Sequence, residues 1–318
     1  MSEDARSERV VVETIPPALD GERLDRVVAL LVDVSRAASA AVVAAGGVSV
    51  DGVTVTSGKE RVRTGAVVAI DTAAIPVVEP PEPDAGVEFV VVHADDAVLV
   101  VDKPAGLVVH PGAGNRRGTL VHGLLARFPD IAGVGERERP GIVHRLDAGS
   151  SGLLVVARTP EAADALAAQF SAHTAGRRYE ALVWGHPSAP HGIIDAPIGR
   201  DPGDPLRMAL VADGRPARTE YEVVRRLAAP ADVALLSCRL ETGRTHQIRV
   251  HLTGIGHPLV GDPVYGDRRT TLGLTRPFLH AAELSFDHPV SGERVTFNST
   301  LPADLAELLS RLEPVGES

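Results

Sequence analysis

Two polar stretches of this 318-residue chain carry the side chains that nucleophilic or acid–base chemistry requires. The first is His144-Arg145-Leu146-Asp147, which leads through the Gly/Ser-rich run 148–152 into an apolar segment. The second is the run 241–251, where a glycine turn precedes two arginines and two histidines. Catalytic side chains concentrate on loops that rigid strands position. The local pattern leaves two roles open for Asp147, a carboxylate that caps its own turn, which is the commoner role, and a catalytic group.

Other chemistries are excluded by features that the sequence lacks. The glycine-containing run 112–118 is not followed by Gly-Lys-Ser/Thr, so it is not a nucleotide-binding loop. His246 and His251 are five residues apart, about 140° around a helix, so they do not form a metal-binding pair. Structural hydrogen bonds are the favoured role for both. The single cysteine, Cys238, allows neither an intrachain disulfide nor a cysteine-based zinc site, and fits a reducing compartment.

The net charge of −10 does not by itself exclude a nucleic-acid partner. The acidic residues are concentrated in residues 1–20, 79–96 and 304–318, and the remaining sequence is slightly basic. This distribution leaves room for a local basic surface. Hydrophobic residues make up 44% of the chain, yet no apolar run reaches the ~18 residues that a membrane helix needs. With no apolar N-terminal segment either, we expect a globular cytoplasmic protein without a membrane contact.

The elements that must position these stretches fall into two regions. Residues 18–75 show a helix with apolar residues at 24, 27, 28 and 31, a second helix from Ser35 to Gly46-Gly47, and a hairpin about Asp51-Gly52. The segment 76–86 contains four prolines among acidic residues and reads as a stiff linker. It separates this small region from residues 87–312, with 1–17 and 313–318 as tails.

The large region is predicted to contain more strands than helices. Strands are expected at 89–93, 97–101, 152–157, 178–184 and 233–240. One helix is expected after Thr159-Pro160, with Gly176 as its end, and another over 245–255, with Thr245 as its cap. The strands lack strict βαβ alternation, so we predict an α+β fold with a large, mostly antiparallel mixed sheet.

Several blocks of the large region together resemble the RluA/RluD family of pseudouridine synthases. They cover about residues 89–303 and occur in the family's order. The blocks are Asp102-Lys103-Pro104-Ala105-Gly106-Leu107, His144-Arg145-Leu146-Asp147, Arg178-Tyr179-Glu180-Ala181, Gly243-Arg244-Thr245-His246-Gln247-Ile248-Arg249-Val250-His251 and Gly256-His257-Pro258-Leu259-Val260-Gly261-Asp262-Pro263-Val264-Tyr265-Gly266. The tetrad and the block ending at His251 make the resemblance specific. It implies the pseudouridine synthase fold.

The small region resembles the S4 RNA-binding module. The resemblance lies in Arg23-Leu24-Asp25, Ser35-Arg36 and the run 47–52. The helix that follows Ser35-Arg36 is built of Ala and Val where that module often carries more basic residues. In having an S4-like region before the catalytic region, the chain resembles the RluD-like branch of the family, whose members act on large-subunit ribosomal RNA.

The resemblance implies roles for individual residues. Asp147 would be the nucleophile that attacks the target uridine, at the ribose C1′ or at the base. Tyr179 would lie against the base and help to remove the C5 proton, and Arg249 would hold Asp147 ionised through a bidentate pair. Arg145 would occupy the place of the uridine flipped out of the RNA stack. Three more residues are implied as RNA contacts, namely His144, Arg244 and Arg36.

The expected activity is the isomerisation of specific uridines to pseudouridine in 23S ribosomal RNA or a pre-ribosomal particle, by a monomer. The isomerisation changes no oxidation state, so the resemblance implies neither a cofactor nor a metal. Three alternatives stay open at this point. They are the same chemistry on transfer RNA, an inactive RNA-binding assembly protein, and a hydrolase that releases uracil through Asp147.

Overall fold

The computed structural model describes residues 9–34, 36–76, 80–112, 114–204, 207–266 and 269–315. The chain divides between residues 79 and 80 into two compact units, which we call the small unit and the large unit. The division falls inside the proline-rich segment 76–86. In its described part, residues 80–86 contain no helix or strand, and the Asp84 N–H donates a 2.9 Å hydrogen bond to the His122 carbonyl of the large unit.

The small unit packs two helices against a four-stranded antiparallel sheet of order β1-β4-β2-β3. Its elements are β1 (Val10–Thr14), α1 (Leu24–Leu31), α2 (Arg36–Ala44), β2 (Val48–Val50), β3 (Val53–Thr54) and β4 (Val67–Asp71). Leu24, Val27 and Val28 are fully buried because their spacing places them on one face of α1. The predicted helices and hairpin of this unit are therefore confirmed.

The large unit is built on one ten-stranded sheet of main order β16-β12-β13-β8-β14-β7-β6-β5, with β15 on β14 and β9 on β12. Its strands are β5 (Val90–Ala94), β6 (Val98–Lys103), β7 (Ser151–Ala157), β8 (Gly176–Trp184), β9 (His191–Asp195), β12 (Arg218–Ala229), β13 (Val233–Leu240), β14 (Leu279–Asp287), β15 (Arg294–Asn298) and β16 (Glu313–Pro314). A separate hairpin consists of β10 (Ile198–Arg200) and β11 (Met208–Leu210). Only β7 and β14 pair in parallel among the described strands, so the predicted α+β fold with a mostly antiparallel sheet is confirmed.

Four helices cover the large sheet: α3 (Leu120–Arg127), α4 (Pro160–Ser171), α5 (Gln247–Gly254) and α6 (Ala303–Ser310). The side chain of Thr159 accepts a hydrogen bond from the Ala162 N–H, so the predicted start of α4 is confirmed. Its predicted end at Gly176 is wrong. The helix stops at Ser171, because His173 adopts a left-handed φ of 59°, and Gly176 is the first residue of β8. No helix in the described ranges is long and apolar enough to span a membrane.

The predicted cap of the helix over 245–255 is also wrong. The helix α5 begins at Gln247, and His246 occupies the cap position with φ 57° and no capping hydrogen bond from its side chain. The turn is closed instead by Gln247, whose Oε1 accepts from the Arg244 N–H at 2.9 Å and from the Thr242 hydroxyl at 2.7 Å. The left-handed backbone at His246 sets the direction in which α5 starts, and with it the position of Arg249, the third residue of that helix.

Candidate active site

The Asp147 loop leads directly into the central strand β7. Gly152 has φ 113°, and a Cβ at this position would lie 2.3 Å from the Ala281 carbonyl oxygen of β14. A side chain here would both strain the backbone and break the close parallel pairing of β7 with β14. The glycine therefore lets the loop deliver Asp147 at the point where these two strands meet.

A buried lysine ties the same loop to the strand β6. The Lys103 ammonium donates to the carbonyls of Pro104, Leu107 and Ala148 at 2.8, 2.9 and 3.3 Å. The Gly106 N–H donates to the Ala148 carbonyl as well, at 2.7 Å. Burial lowers the pKa of Lys103 to about 7, although the Asp147 carboxylate opposes this shift. The block 102–107 thus holds Ala148, the residue that follows Asp147, in place.

A cavity of about 500 Å³ opens beside this loop, between the tetrad and the turn before α5. Asp147 and Tyr179 both line it, and so do Arg145 and Arg244. Apolar surface comes from Ile248 and Leu279 and from the ring of Phe170. The cavity therefore combines a carboxylate, a phenol, cationic groups and apolar walls, a composition that suits a flat polar ring with an anionic group attached.

Arg249 connects Asp147 to a second carboxylate that the sequence reasoning missed. Its Nε and Nη2 donate to Asp262 at 2.7 and 2.9 Å, whereas its Nη1 reaches the Asp147 Oδ2 at 3.4 Å. The expected bidentate pair between Arg249 and Asp147 is therefore wrong, because the planar fork is already occupied by Asp262. The side chain of Asp262 is fully buried and that of Asp147 is 17% exposed. Asp147 is the carboxylate that faces the cavity.

The electrostatics of the pair formed by Arg249 and Asp262 favour the ionised form of both groups. Burial acts to raise the pKa of Asp262, but the hydrogen bonds from Arg249 outweigh it and hold this pKa below the usual range. The same bonds raise the pKa of Arg249 against the opposing effect of burial. Oδ1 of Asp262 also accepts from the N–H groups of Val264 and Tyr265, at 2.9 and 3.1 Å. These backbone hydrogen bonds hold the Asp262 carboxylate in place independently of Arg249.

Tyr265 and His246 complete the surroundings of Arg249. The guanidinium lies over the Tyr265 ring at 5.0 Å from its centroid. The Tyr265 hydroxyl accepts from the Met208 N–H at 3.0 Å and lies 2.9 Å from the His246 Nδ1. Because the hydroxyl already accepts one hydrogen bond, it can donate its own proton to this nitrogen. Burial lowers the pKa of His246, which agrees with a neutral ring.

Tyr179 lies on β8, with its side chain buried against the cavity wall. Burial raises the pKa of Tyr179 to about 12, and nearby Arg177 opposes that rise. The phenol is therefore neutral near pH 7. A neutral ring at this position presents an apolar surface to a base in the cavity.

The three predicted RNA contacts differ in their surroundings. The ring of His144 is stacked on Phe170, its Nε2 accepts from the Val155 N–H at 3.0 Å, and its Nδ1 is buried without a partner. Burial lowers the pKa of His144 to about 3, so the ring is neutral and supports the loop. Arg244 lines the cavity, as does the exposed Arg145. Arg36 begins α2, and its side chain lies outside the described residues.

His251 has the structural role that the sequence favoured. Its ring lies 2.9 Å from the Thr219 hydroxyl and 3.0 Å from the Ala196 carbonyl, and it is fully buried. In the described ranges, no group of three His, Cys, Asp or Glu residues is arranged to hold a metal ion.

Both units of the chain match known proteins. The family model described as RNA pseudouridylate synthase matches residues 97–253, and the S4 domain model matches residues 22–68. An uncharacterized RNA pseudouridine synthase of Chloroflexus aurantiacus is 50% identical over 311 residues, which cover 96% of this chain and 94% of the relative. The chain belongs to the RNA pseudouridine synthase family. It is an isomerase that acts on RNA, and it carries an S4 domain.

Two further comparisons describe the range of this similarity. The synthase is 43% identical over 320 residues to the ribosomal large subunit pseudouridine synthase D of Nitrosomonas europaea, with coverage of 98% of this chain and 90% of the relative. Human RNA pseudouridylate synthase domain containing 1 has a solved structure with a TM-score of 0.59 and 29% identity. That match covers 74% of the synthase and 91% of the human chain.

Proposed function

We propose that this synthase isomerises specific uridines of large-subunit (23S) ribosomal RNA, as free RNA or within a pre-ribosomal particle. We propose further that it works as a cytoplasmic monomer without a cofactor, with residues 18–75 as RNA-binding domain and 87–312 as catalytic domain. The 43% identity to a ribosomal large subunit synthase, over 98% of the chain, supports this choice of substrate. The observation that carries the chemistry is the Asp147 carboxylate, which faces the cavity beside Tyr179 and within 3.4 Å of Arg249.

In the proposed reaction, Asp147 attacks the flipped uridine and the bond from N1 to C1′ breaks. The uracil rotates in the cavity, the bond from C5 to C1′ forms, and the carboxylate is released. The C5 proton leaves to solvent and N1 gains a proton, so atoms and electrons balance without an external oxidant. Arg249 keeps Asp147 oriented, and Arg145 fills the gap left in the RNA stack.

Tyr179 has two tasks in this scheme. Its neutral ring packs against the uracil while the glycosidic bond is open, which prevents loss of the base. Its hydroxyl then assists the transfer of the C5 proton to solvent, after the bond from C5 to C1′ has formed. His144 also lines the cavity, but its Nε2 accepts from the Val155 N–H and its Nδ1 is buried, so its role in this scheme is to support the loop.

The proposal is tested by tritium release from RNA labelled at C5 of uridine. Ribosomal RNA and transfer RNA are assayed separately, and free uracil is measured in each reaction. We expect release from the ribosomal fraction with no uracil, and no release with Asp147→Asn, because the amide is not an anionic nucleophile. The matched control is Asp164→Asn, an exposed aspartate on α4. Release from transfer RNA alone would refute the substrate, and an active Asp147→Asn variant would refute the nucleophile.

A further inference from the structure

Five arginines line the catalytic cavity, and they differ in whether a carboxylate neutralises them. They are Arg139, Arg145, Arg177, Arg215 and Arg244. Arg139 is neutralised by Glu136, to which it donates hydrogen bonds of 2.8 and 2.5 Å. Within the described part of the chain, the other four form no ion pair with a carboxylate. Arg145 already has a proposed role in the gap of the RNA stack, which leaves Arg177, Arg215 and Arg244. We call these three residues the arginine wall.

Arg177 is a half-buried member of the arginine wall. It lies on β8 two residues before Tyr179, and therefore on the same face of the strand. Its Nη2 donates to the Glu241 carbonyl at 3.1 Å, its guanidinium lies 5.3 Å from the Phe170 centroid, and its Nε is buried without a partner. A cation removed from water without a counterion is unfavourable in the free protein. An anion that enters the cavity would relieve that cost.

The turn before α5 is shaped around this arginine. A Cβ at Gly243 would lie 2.6 Å from the Arg177 Nη1, so glycine permits the close approach. The next residue is Arg244, whose Nε donates to the Pro216 carbonyl at 2.9 Å. Arg177 and Arg244 are thereby held on the two sides of Gly243.

The third cation is supplied by the chain segment that follows the β10–β11 hairpin. Arg215 exchanges two backbone hydrogen bonds with Ile198, of 2.9 and 3.0 Å, which fix its position. Arg215 and Arg244 line the same cavity, and burial together with the charge of Arg215 lowers the pKa of Arg244. Two like charges this close repel each other in the absence of an anion. A shared anion converts such repulsion into attraction, and phosphate oxygens fit the planar guanidinium fork.

We propose that the arginine wall binds the backbone phosphodiesters that flank the target uridine. This inference rests on the proposed function, because the RNA must enter the same cavity as the base. Phosphate contacts position a nucleic acid without reading its sequence. The wall would hold the strand on one side of the cavity while Asp147 acts on the other.

The test is equilibrium binding to in vitro transcribed 23S ribosomal RNA across a salt series, in the Asp147→Asn background so that no turnover occurs. Arg177→Gln, Arg215→Gln and Arg244→Gln should each weaken binding and lower the slope of log Kd against log salt by about 0.7 to 0.9. Arg139→Gln is the matched control, because this residue lines the same cavity but is already neutralised. It should leave the slope unchanged.

The inference is overturned if the three variants keep the slope of the parent or match Arg139→Gln. Arg215 is exposed, so its variant remains informative even if Arg177→Gln does not fold. Arg177→Lys should retain the slope, because a point charge is enough for counterion release. Failure of the proposed function would look different, since it would appear as absent tritium release from the wild-type enzyme while the salt slopes still separated the variants.

Discussion

Replacement of Asp262 by Asn should destabilise the large unit and nearly abolish turnover. The variant leaves the buried Arg249 without its bidentate partner, and removal of one member of a buried ion pair costs about 3–5 kcal/mol. In the native structure the Arg249 Nη1 also lies 3.4 Å from the Asp147 Oδ2, so a second carboxylate is near and we expect the lower end of this range, about 3 kcal/mol. For a unit of this size that corresponds to a fall in Tm of roughly 6–12 °C. Displacement of the guanidinium should lower the rate of tritium release about 100-fold.

The matched control is Glu136→Gln. Glu136 accepts an equally bidentate pair from Arg139, at 2.8 and 2.5 Å, but the two side chains are 52% and 40% exposed, whereas those of Asp262 and Arg249 are buried. We expect it to lower the stability by less than about 1 kcal/mol. The loss of stability caused by Asp262→Asn should also become smaller as the pH falls below 3.8, the ordinary pKa of an aspartate. A carboxylate with a lowered pKa stabilises the fold only while it is ionised. An equal loss of Tm in both variants would refute the argument from burial.

Two other predictions concern Lys103 and the small unit. The pKa of Lys103 is lowered to about 7 by burial, so the unfolded chain binds more protons than the folded one above that pH, and stability should rise with pH between about 7 and 8.5. Lys103→Met should lose this rise in thermal unfolding, and an unchanged pH dependence would contradict it. Deletion of residues 1–75 should preserve tritium release at saturating RNA and reduce the salt slope by about 0.7 to 0.9 for each phosphate that the small unit neutralises. That reduction should be modest, since Arg23 and Arg26 are already paired with Asp25 and Glu22; unchanged affinity and slope would refute a role of this unit in RNA binding.

The sequence was sufficient where a feature is local. The strand over 233–240 is found as predicted, because it opens with the apolar run from Val233 to Leu236. The strand β12 was not predicted, because its apolar residues do not alternate regularly: Val223 and Val224 are adjacent, and Arg225 and Arg226 follow them. Its register on β13 is irregular at the same place, between Val223 and Arg225.

The same distinction applies to the site. The tetrad 144–147 is contiguous and can be recognised from its letters, whereas the partnership of Arg249 with Asp262 spans 13 residues and a change of direction. Asp262 lies within one of the blocks that carry the family resemblance, but its letters do not show that its carboxylate faces the α5 arginine. Arg177 escapes sequence reasoning for a similar reason, because its missing counterion is visible only when the surrounding chain is placed. Which side chain pairs with which is therefore decided by the tertiary fold and cannot be read from the local sequence.

The division of Arg249 between two carboxylates has a consequence for the whole catalytic cycle. When Asp147 forms a covalent bond to the substrate, as proposed, it gives up its negative charge. An arginine that relied on Asp147 alone would then become an isolated cation in a buried place, and the intermediate would carry that electrostatic cost. Asp262 takes no part in bond formation and keeps its two hydrogen bonds to Arg249 throughout. The pair of Arg249 and Asp262 therefore stays neutral before, during and after the attack, and Asp147 can lose and regain its charge while Arg249 keeps its partner.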